Sequence, residues 1–325
     1  MRTDLCLVHG DVVKIELGVH IDGYVATNAH TIIISSTPAK TPFTGPTADV
    51  ICAACTLIFL EYSILIFHSI SHFNTHIYSI PTIFLDYASE AAARLIRPGK
   101  SSLEVVKAIQ HIAATFHCQP CQQTATYITQ RYIIEGDNKI DNQTIIDNKF
   151  IDTEGDMSFE AFDFEFDQVY SVNIIMSSGS GLTRVSPCHS HQVLQRDVNV
   201  VYPLKMKSAR AVLSDLTKTY SVFPFACRDL FKMNAQHKHG ITECLEHRNV
   251  VALPVLEEMD KHAIVAQFKF GLMLTRNGAI RLTSIGEGEL QLPYVHSVYK
   301  LDSKTLSLCN EEMKSNAVVS NAMEL

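Results

Sequence analysis

The chain has 325 residues, 46% of them hydrophobic and 19% charged, with nine cysteines and no tryptophan. That is enough apolar chain for one large core or two ordinary ones, which excludes a disordered chain, a collagen-like repeat and a disulfide-stapled mini-protein. With 27 basic against 34 acidic residues the formal net charge is −7, so no bulk basic field attracts nucleic acid and any RNA contact has to come from a local patch.

In chain order, Asp11 to Ile21 alternates and then runs apolar, which predicts a strand. Asp22-Gly23 follows, a dipeptide that tolerates positive φ and favours a tight hairpin turn, and Tyr24 to Ile34 is the predicted return strand. Ser35 to Thr47 is a loop by composition. Ala88 to Ile96 predicts a helix stopped by Pro98-Gly99. Ser101 and Glu104 have the spacing of a capping box, and the helix they open carries Val105, Ile109, Ile112 and Ala113 on one face. Phe162 to Met176 predicts one long strand, Lys207 to Leu216 a helix, and Val265 to Leu274 another strand. Strands and helices alternate, which favours α/β or α+β.

Residues 56–87 fit nothing around them: rich in Ile, Phe, Ser, His and Tyr, with only Glu61 and Asp86 charged. The most apolar run, Leu57 to Phe67, is about half the ~20 residues a membrane span needs and contains Glu61, so no stable span is expected. Charge is uneven elsewhere. Between Glu135 and Asp167 eleven acidic residues face two basic ones, and between Val201 and Val250 eight basic residues face four acidic ones. Such runs are usually solvated faces. The basic stretch is nonetheless the one nucleic-acid surface the composition offers.

Several patterns point to metals, each with a plainer reading. Cys52-x-x-Cys55 and Cys118-x-x-Cys121 could supply four thiolates to zinc, but 62 residues separate them, far beyond the usual ~15–20. His68, His72 and His76 fall inside the anomalous segment, and His189-x-His191 and His237-x-His239 read as surface histidines. No nucleophile elbow, Walker loop or H-E-x-x-H motif is present. The serine-glycine run Ser177 to Gly181 lacks the lysine and helix of a phosphate loop and reads as a turn. Nine cysteines, and an opening Met1 to Leu5 without an apolar run, predict reduced thiols and no secretory leader.

Gly10 to Tyr24 resembles the metal-binding hairpin of the methionine aminopeptidase superfamily. The chain is more closely similar to that superfamily's proliferation-associated (ErbB-receptor-binding, ribosome-binding) branch, whose members are non-peptidase relatives. The same resemblance runs through Ala48-Asp49-Val50-Ile51, Glu90 to Gly99, Val169 to Val172, Leu204 to Lys207, Ala266 to Phe270 and Arg276-Asn277-Gly278. It implies an α+β pita-bread fold: one domain over residues 1–310, with the foreign insert 56–87, an inserted helical subdomain at about 203–250 and a short tail, 311–325. The hairpin stands nearer the start than in such relatives, so the fold is expected to be N-terminally truncated. The insert interrupts a helix continuous in relatives and is expected to be a retained intron, with a lineage-specific loop as the alternative.

The superfamily holds two metal ions with two Asp, one His and two Glu. The resemblance places Glu16, Thr27, Tyr127, Asn173 and Lys269 at those positions. Of these only Glu16 is a good ligand, and Lys269 would put an ammonium among the cations, so no metal or other cofactor is expected. The implied function is that of a non-catalytic adaptor associated with ribosomes or pre-ribosomal particles and structured RNA, with roles in growth regulation and transcriptional co-repression. Partners would include signalling or transcription proteins, in cytoplasm and nucleus; without a basic tail, nucleolar targeting is weakened. Lys205, Lys207 and Arg210 are the RNA-binding candidates. The alternative is a metal-dependent methionine aminopeptidase or related hydrolase.

Overall fold

The alternating stretch after Gly10 forms the strands β1 (Val12–Ile21) and β2 (Tyr24–Ile33), paired antiparallel without a break from Val12↔Ile33 to Ile21↔Tyr24. Asp22 at φ 50° and Gly23 at φ 89° make the turn, whose two left-handed residues match the twist of the flanking strands. The computed structural model of the chain describes residues 6–36, 42–54, 87–136, 139–141, 145–146, 149–150, 161–186, 193–276, 278–283 and 295–309. The foreign segment except Tyr87, most of the acidic stretch, Cys55, His189, His191 and the tail 311–325 lie outside these residues.

The hairpin is one end of an antiparallel sheet. The other strands are β3 (Ala125–Thr129), β4 (Lys139–Asp141) and β5 (Val169–Ser177), followed later in the chain by β6 (Val193–Arg196), β7 (Phe225–Ala226) and β8 (Val250–Ala252) of a smaller sheet. β9 (Val265–Thr275) and β10 (Gly278–Arg281) belong to the large sheet, whose order is β1-β2-β9-β5-β3-β4, with β10 beside β9 and the short strand Gln119–Pro120 beside β5. β5 and β9 form its long central pair, from Val265↔Ser177 to Met273↔Val169.

Period-two alternation gives this sheet two different faces. Tyr170, Val172, Ile174 and Met176 of β5 and Ala266, Phe268, Phe270, Leu272 and Leu274 of β9 are all buried. Onto that face pack α1 (Pro46–Ala54), α2 (Tyr87–Leu95) and, against α2, α3 (Ser102–Thr115). α1 is buried from Ala48 to Ala54, and its alanines and Cys52 let it lie close on the strands. A short α7 (Ser303–Cys309) covers α2.

Two expectations change. The capping box at α3 is half made: Ser101 Oγ accepts from Leu103 N at 3.4 Å, while the Glu104 carboxylate turns to Lys100 Nζ at 3.0 Å. The strand expected over Phe162 to Met176 begins only at Val169, because Asp167 adopts φ 60° and turns the chain. The preceding alternation belongs to an irregular segment that bonds to the start of α3, Ser102 N donating to Phe162 O and Phe164 N to Lys100 O.

A second apolar cluster gathers Leu194, Val212, Leu216, Leu230, Cys244 and Val250. It lies among α4 (Lys207–Thr219), α5 (Cys227–Met233), α6 (His237–Glu246) and the sheet β7-β6-β8. The segment expected to be helical thus also carries strands, and its cluster reaches back to Leu194. His237 is buried rather than on the surface: Nδ1 lies 3.3 Å from Leu230 O and Nε2 3.1 Å from Asp215 Oδ2, while His239 is exposed. The pair His237-x-His239 therefore does not converge on a ligand.

Candidate functional site

Cross-strand partners in a sheet project from the same face. Glu16 pairs with Ala29, Ala29 with Lys269, and Lys269 with Asn173, which sets Glu16, Lys269 and Asn173 in one row. Two residues along, Gly18 pairs with Thr27, and Gly271 with Ser171, itself the partner of Tyr127. The register thus brings all five expected ligand positions onto two neighbouring rows, on the face opposite α1.

The chemistry of that face is polar and self-satisfied. Lys269 Nζ donates to Glu16 Oε1 at 2.8 Å. Asn173 Oδ1 accepts from Gln267 Nε2 at 3.1 Å, and its amide N–H donates to Thr126 Oγ1 at 3.0 Å. Thr27 Oγ1 and Ser171 Oγ share a hydrogen bond of 3.0 Å across the sheet. A divalent pair needs several anionic oxygens around it. Here one carboxylate is present and an ammonium sits on it, so the residues do not fit a two-metal centre. Among the described residues no group of three or more His, Cys, Asp or Glu could hold a metal ion.

The described cysteines of the two Cys-x-x-Cys pairs, Cys52, Cys118 and Cys121, are all buried. Burial pushes both the Cys118 and Cys121 thiols up to about 12, with Asp49 adding to the first and Glu258 to the second against an opposing Lys14. Without a metal, thiols so held stay protonated.

The backbone seam between β2 and β9 is thin. Ala29↔Lys269 is its one ladder pair among the described residues, and two threonine hydroxyls complete it. Buried Thr31 Oγ1 accepts from Gln267 N at 2.7 Å and donates to Gln267 O at 3.0 Å. On the other side Thr283 Oγ1 accepts from Gly271 N at 2.7 Å and donates to Thr27 O at 2.9 Å.

Lys205 and Lys207 are exposed just before and at the start of α4. Their turn is fixed by Glu243 of α6, whose carboxylate accepts from Lys205 N at 2.6 Å and Met206 N at 2.9 Å. Arg210 Nη1 donates to Leu204 O and Lys205 O, each at 2.8 Å, so this candidate also braces the turn. Two features had no sequence signal. His20, at the hairpin tip, stacks on Phe223 of the second cluster's neighbourhood at 4.0 Å between ring centroids, and Tyr132 follows at 6.2 Å. Arg196, Tyr202 and Lys218 line a groove beside Arg210. Both groupings join residues too far apart in sequence for a spacing rule to find.

No protein-family model matches the chain. It is 33% identical over 311 residues to proliferation-associated protein A of Dictyostelium discoideum, covering 95% of this chain and 68% of that protein. It is 31% identical over 282 residues to ErbB-3 binding protein 1 of Solanum tuberosum, covering 87% of this chain and 61% of that one. The chain thus spans about two thirds or less of these curated relatives. A solved structure of a thermophilic Arx1 matches with a TM-score of 0.69 at 22% sequence identity, covering 94% of this chain and 75% of that chain. The fold is accordingly the α+β pita-bread fold that the sequence resemblance implied.

Proposed function

The chain belongs to the family of proliferation-associated and ErbB-3 binding proteins, and from that premise we propose that it is a non-catalytic, aminopeptidase-like adaptor that associates with ribosomes or pre-ribosomal particles and with structured RNA. One contact carries the non-catalytic half: the 2.8 Å bond from Lys269 Nζ to Glu16 Oε1, in the row where a two-metal peptidase would need carboxylates. Thr27 and Asn173 add no negative charge. The adaptor half is supported by the family and by exposed Lys205 and Lys207 held in a fixed turn by Glu243. Growth regulation and transcriptional co-repression, through signalling or transcription partners in cytoplasm and nucleus, extend the same reading. Among the described residues no helix is long and apolar enough to cross a membrane.

Two measurements test it. Metal analysis after dialysis against cobalt or manganese, with hydrolysis of a Met-Ala-Ser tripeptide, should find neither two bound ions nor turnover; stoichiometric metal with turnover would make the chain a peptidase. Lys269→Glu should leave both results unchanged, because Thr27 and Asn173 still contribute no carboxylate. Sedimentation with large ribosomal subunits should show binding at low salt that is lost at high salt. Lys205→Ala combined with Lys207→Ala should lower the slope of log affinity against log salt by about one to two, as each lysine stops neutralising a phosphate. Absence from subunits at every salt concentration would remove the adaptor reading.

A further inference from the structure

We propose that the groove between α4 and the segment entering it is a site for one unpaired RNA nucleotide, its phosphate held by Arg196, Arg210 and Lys218 and its base laid on Tyr202. This rests on the RNA-contacting reading above and specifies what that surface recognises. The groove is shallow and open to solvent, with a volume of about 460 Å³.

Its walls come from two sources. On α4, Arg210, Ser214 and Lys218 recur at four-residue spacing and so fall on one face of the helix. Opposite runs the extended stretch that carries Tyr202, with Arg196 at the end of β6 closing the groove. Among the described residues, three cations line this space and no carboxylate does. Of the nearby acids, Asp215 lies beside His237, and Glu243, bonded to the Lys205 and Met206 amides, also attracts Arg210 and His247 from outside the groove. Carbonyl oxygens of Leu204 and Lys205 fix the Arg210 guanidinium without neutralising it. It is therefore oriented before any ligand arrives, which is how arginine serves phosphate best.

Tyr202 decides the kind of anion. Its ring lies 3.7 Å from that of His247, with only 15° between the planes. One aromatic face is thus taken and held parallel, and the ring also lines the groove. A flat, rigid ledge within reach of three cations suits a base attached to a phosphate, because every base offers a π-face and stacking needs no particular sequence. An acidic peptide would use the cations and leave the ring idle. In a paired helix the bases are stacked inside and cannot reach the ledge, so the site favours bulges and loops.

The test is fluorescence anisotropy with two labelled RNA hairpins, identical except that one carries a single-nucleotide bulge. The wild-type chain should bind the bulged hairpin about tenfold more tightly, the order of one stacked base. Tyr202→Leu should erase that preference and leave affinity for the paired hairpin unchanged, while Tyr202→Phe should keep it. Lys218→Ala, at an exposed position, should weaken the bulged complex more than the paired one. Equal wild-type affinity for the two hairpins would overturn the nucleotide site and leave the RNA reading standing; binding to neither would overturn both. Competition by a glutamate-rich peptide equally effective against wild type and Tyr202→Leu would make the groove a peptide site instead. If Tyr202→Leu melts below wild type, an NMR titration of the wild-type chain with 5′-adenosine monophosphate decides the matter. Shifts at Tyr202 and Lys218 support the site, and shifts elsewhere or none reject it.

Discussion

The partly buried His30 makes stability depend on pH. Burial lowers the His30 pKa from 6.5 to about 4, against a modest opposing effect from the Thr31 carbonyl. Between those two values the unfolded chain takes up a proton that the folded chain refuses, so stability falls as pH drops from about 6.5 towards 4. The whole effect is of order 3 kcal/mol. Urea unfolding followed across that range should show the loss, and His30→Phe, which keeps the edge-on contact with Phe268, should flatten it; an unchanged slope would mean His30 is not responsible. Glu16 and Lys269 were legible in the sequence as degenerate ligand positions. Their contact was not, since only the sheet brings residues 253 apart in sequence to 2.8 Å. Tyr202 was invisible for a similar reason: nothing local separates it from an ordinary loop tyrosine until His247 is stacked on it.

Elements with their own start and stop signals, or with a clear apolar period such as β9 and α4, are legible in the sequence, and stretches placed by distant contacts against their local pattern are not. β1, β2, α2 and α3 carry a turn dipeptide, a Pro-Gly stop and an N-cap serine, and each lies within a residue or two of its expectation. The Phe162 to Gln168 stretch alternates like a strand, but its phenylalanines are placed by backbone bonds to Lys100 and Ser102 rather than by a ladder. Helix packing in the second cluster depends on Gly240 of α6. A Cβ there would come within 2.6 Å of Ser208 C and O and 2.8 Å of Ala209 N, all backbone atoms of α4 or its start. Glycine to alanine within a helix ordinarily gains about 1 kcal/mol. At this crossing the overpacking cost of about 1–3 kcal/mol opposes it, so Gly240→Ala should be destabilising, read as a lower thermal midpoint. A higher midpoint would mean that the helices can separate at no cost.

The whole molecule is unevenly fastened. β5 and β9 share nine backbone pairs, whereas β2 meets β9 through one pair and the hydroxyls of Thr31 and Thr283. Local opening follows the fewest bonds. Amide exchange should therefore be faster across β1 and β2 than across the β5–β9 pair, and Thr31→Val, which removes two bonds without changing the shape, should speed it further in the hairpin and at Gln267 N, whose acceptor it removes. Uniform protection across the sheet would refute this. The outer side of β1 has a plainer consequence. Ile15, Leu17, Val19 and Ile21 are 44–76% exposed on one face of β1, and among the described residues its outer backbone faces no strand. Neither proline nor bulge interrupts those ten residues, and of the usual devices against strand addition they carry only the charges of Lys14 and Glu16. Among the described residues that edge is an open valency, so the handling properties of this polypeptide should depend on its concentration, and strand-forming peptides should titrate it.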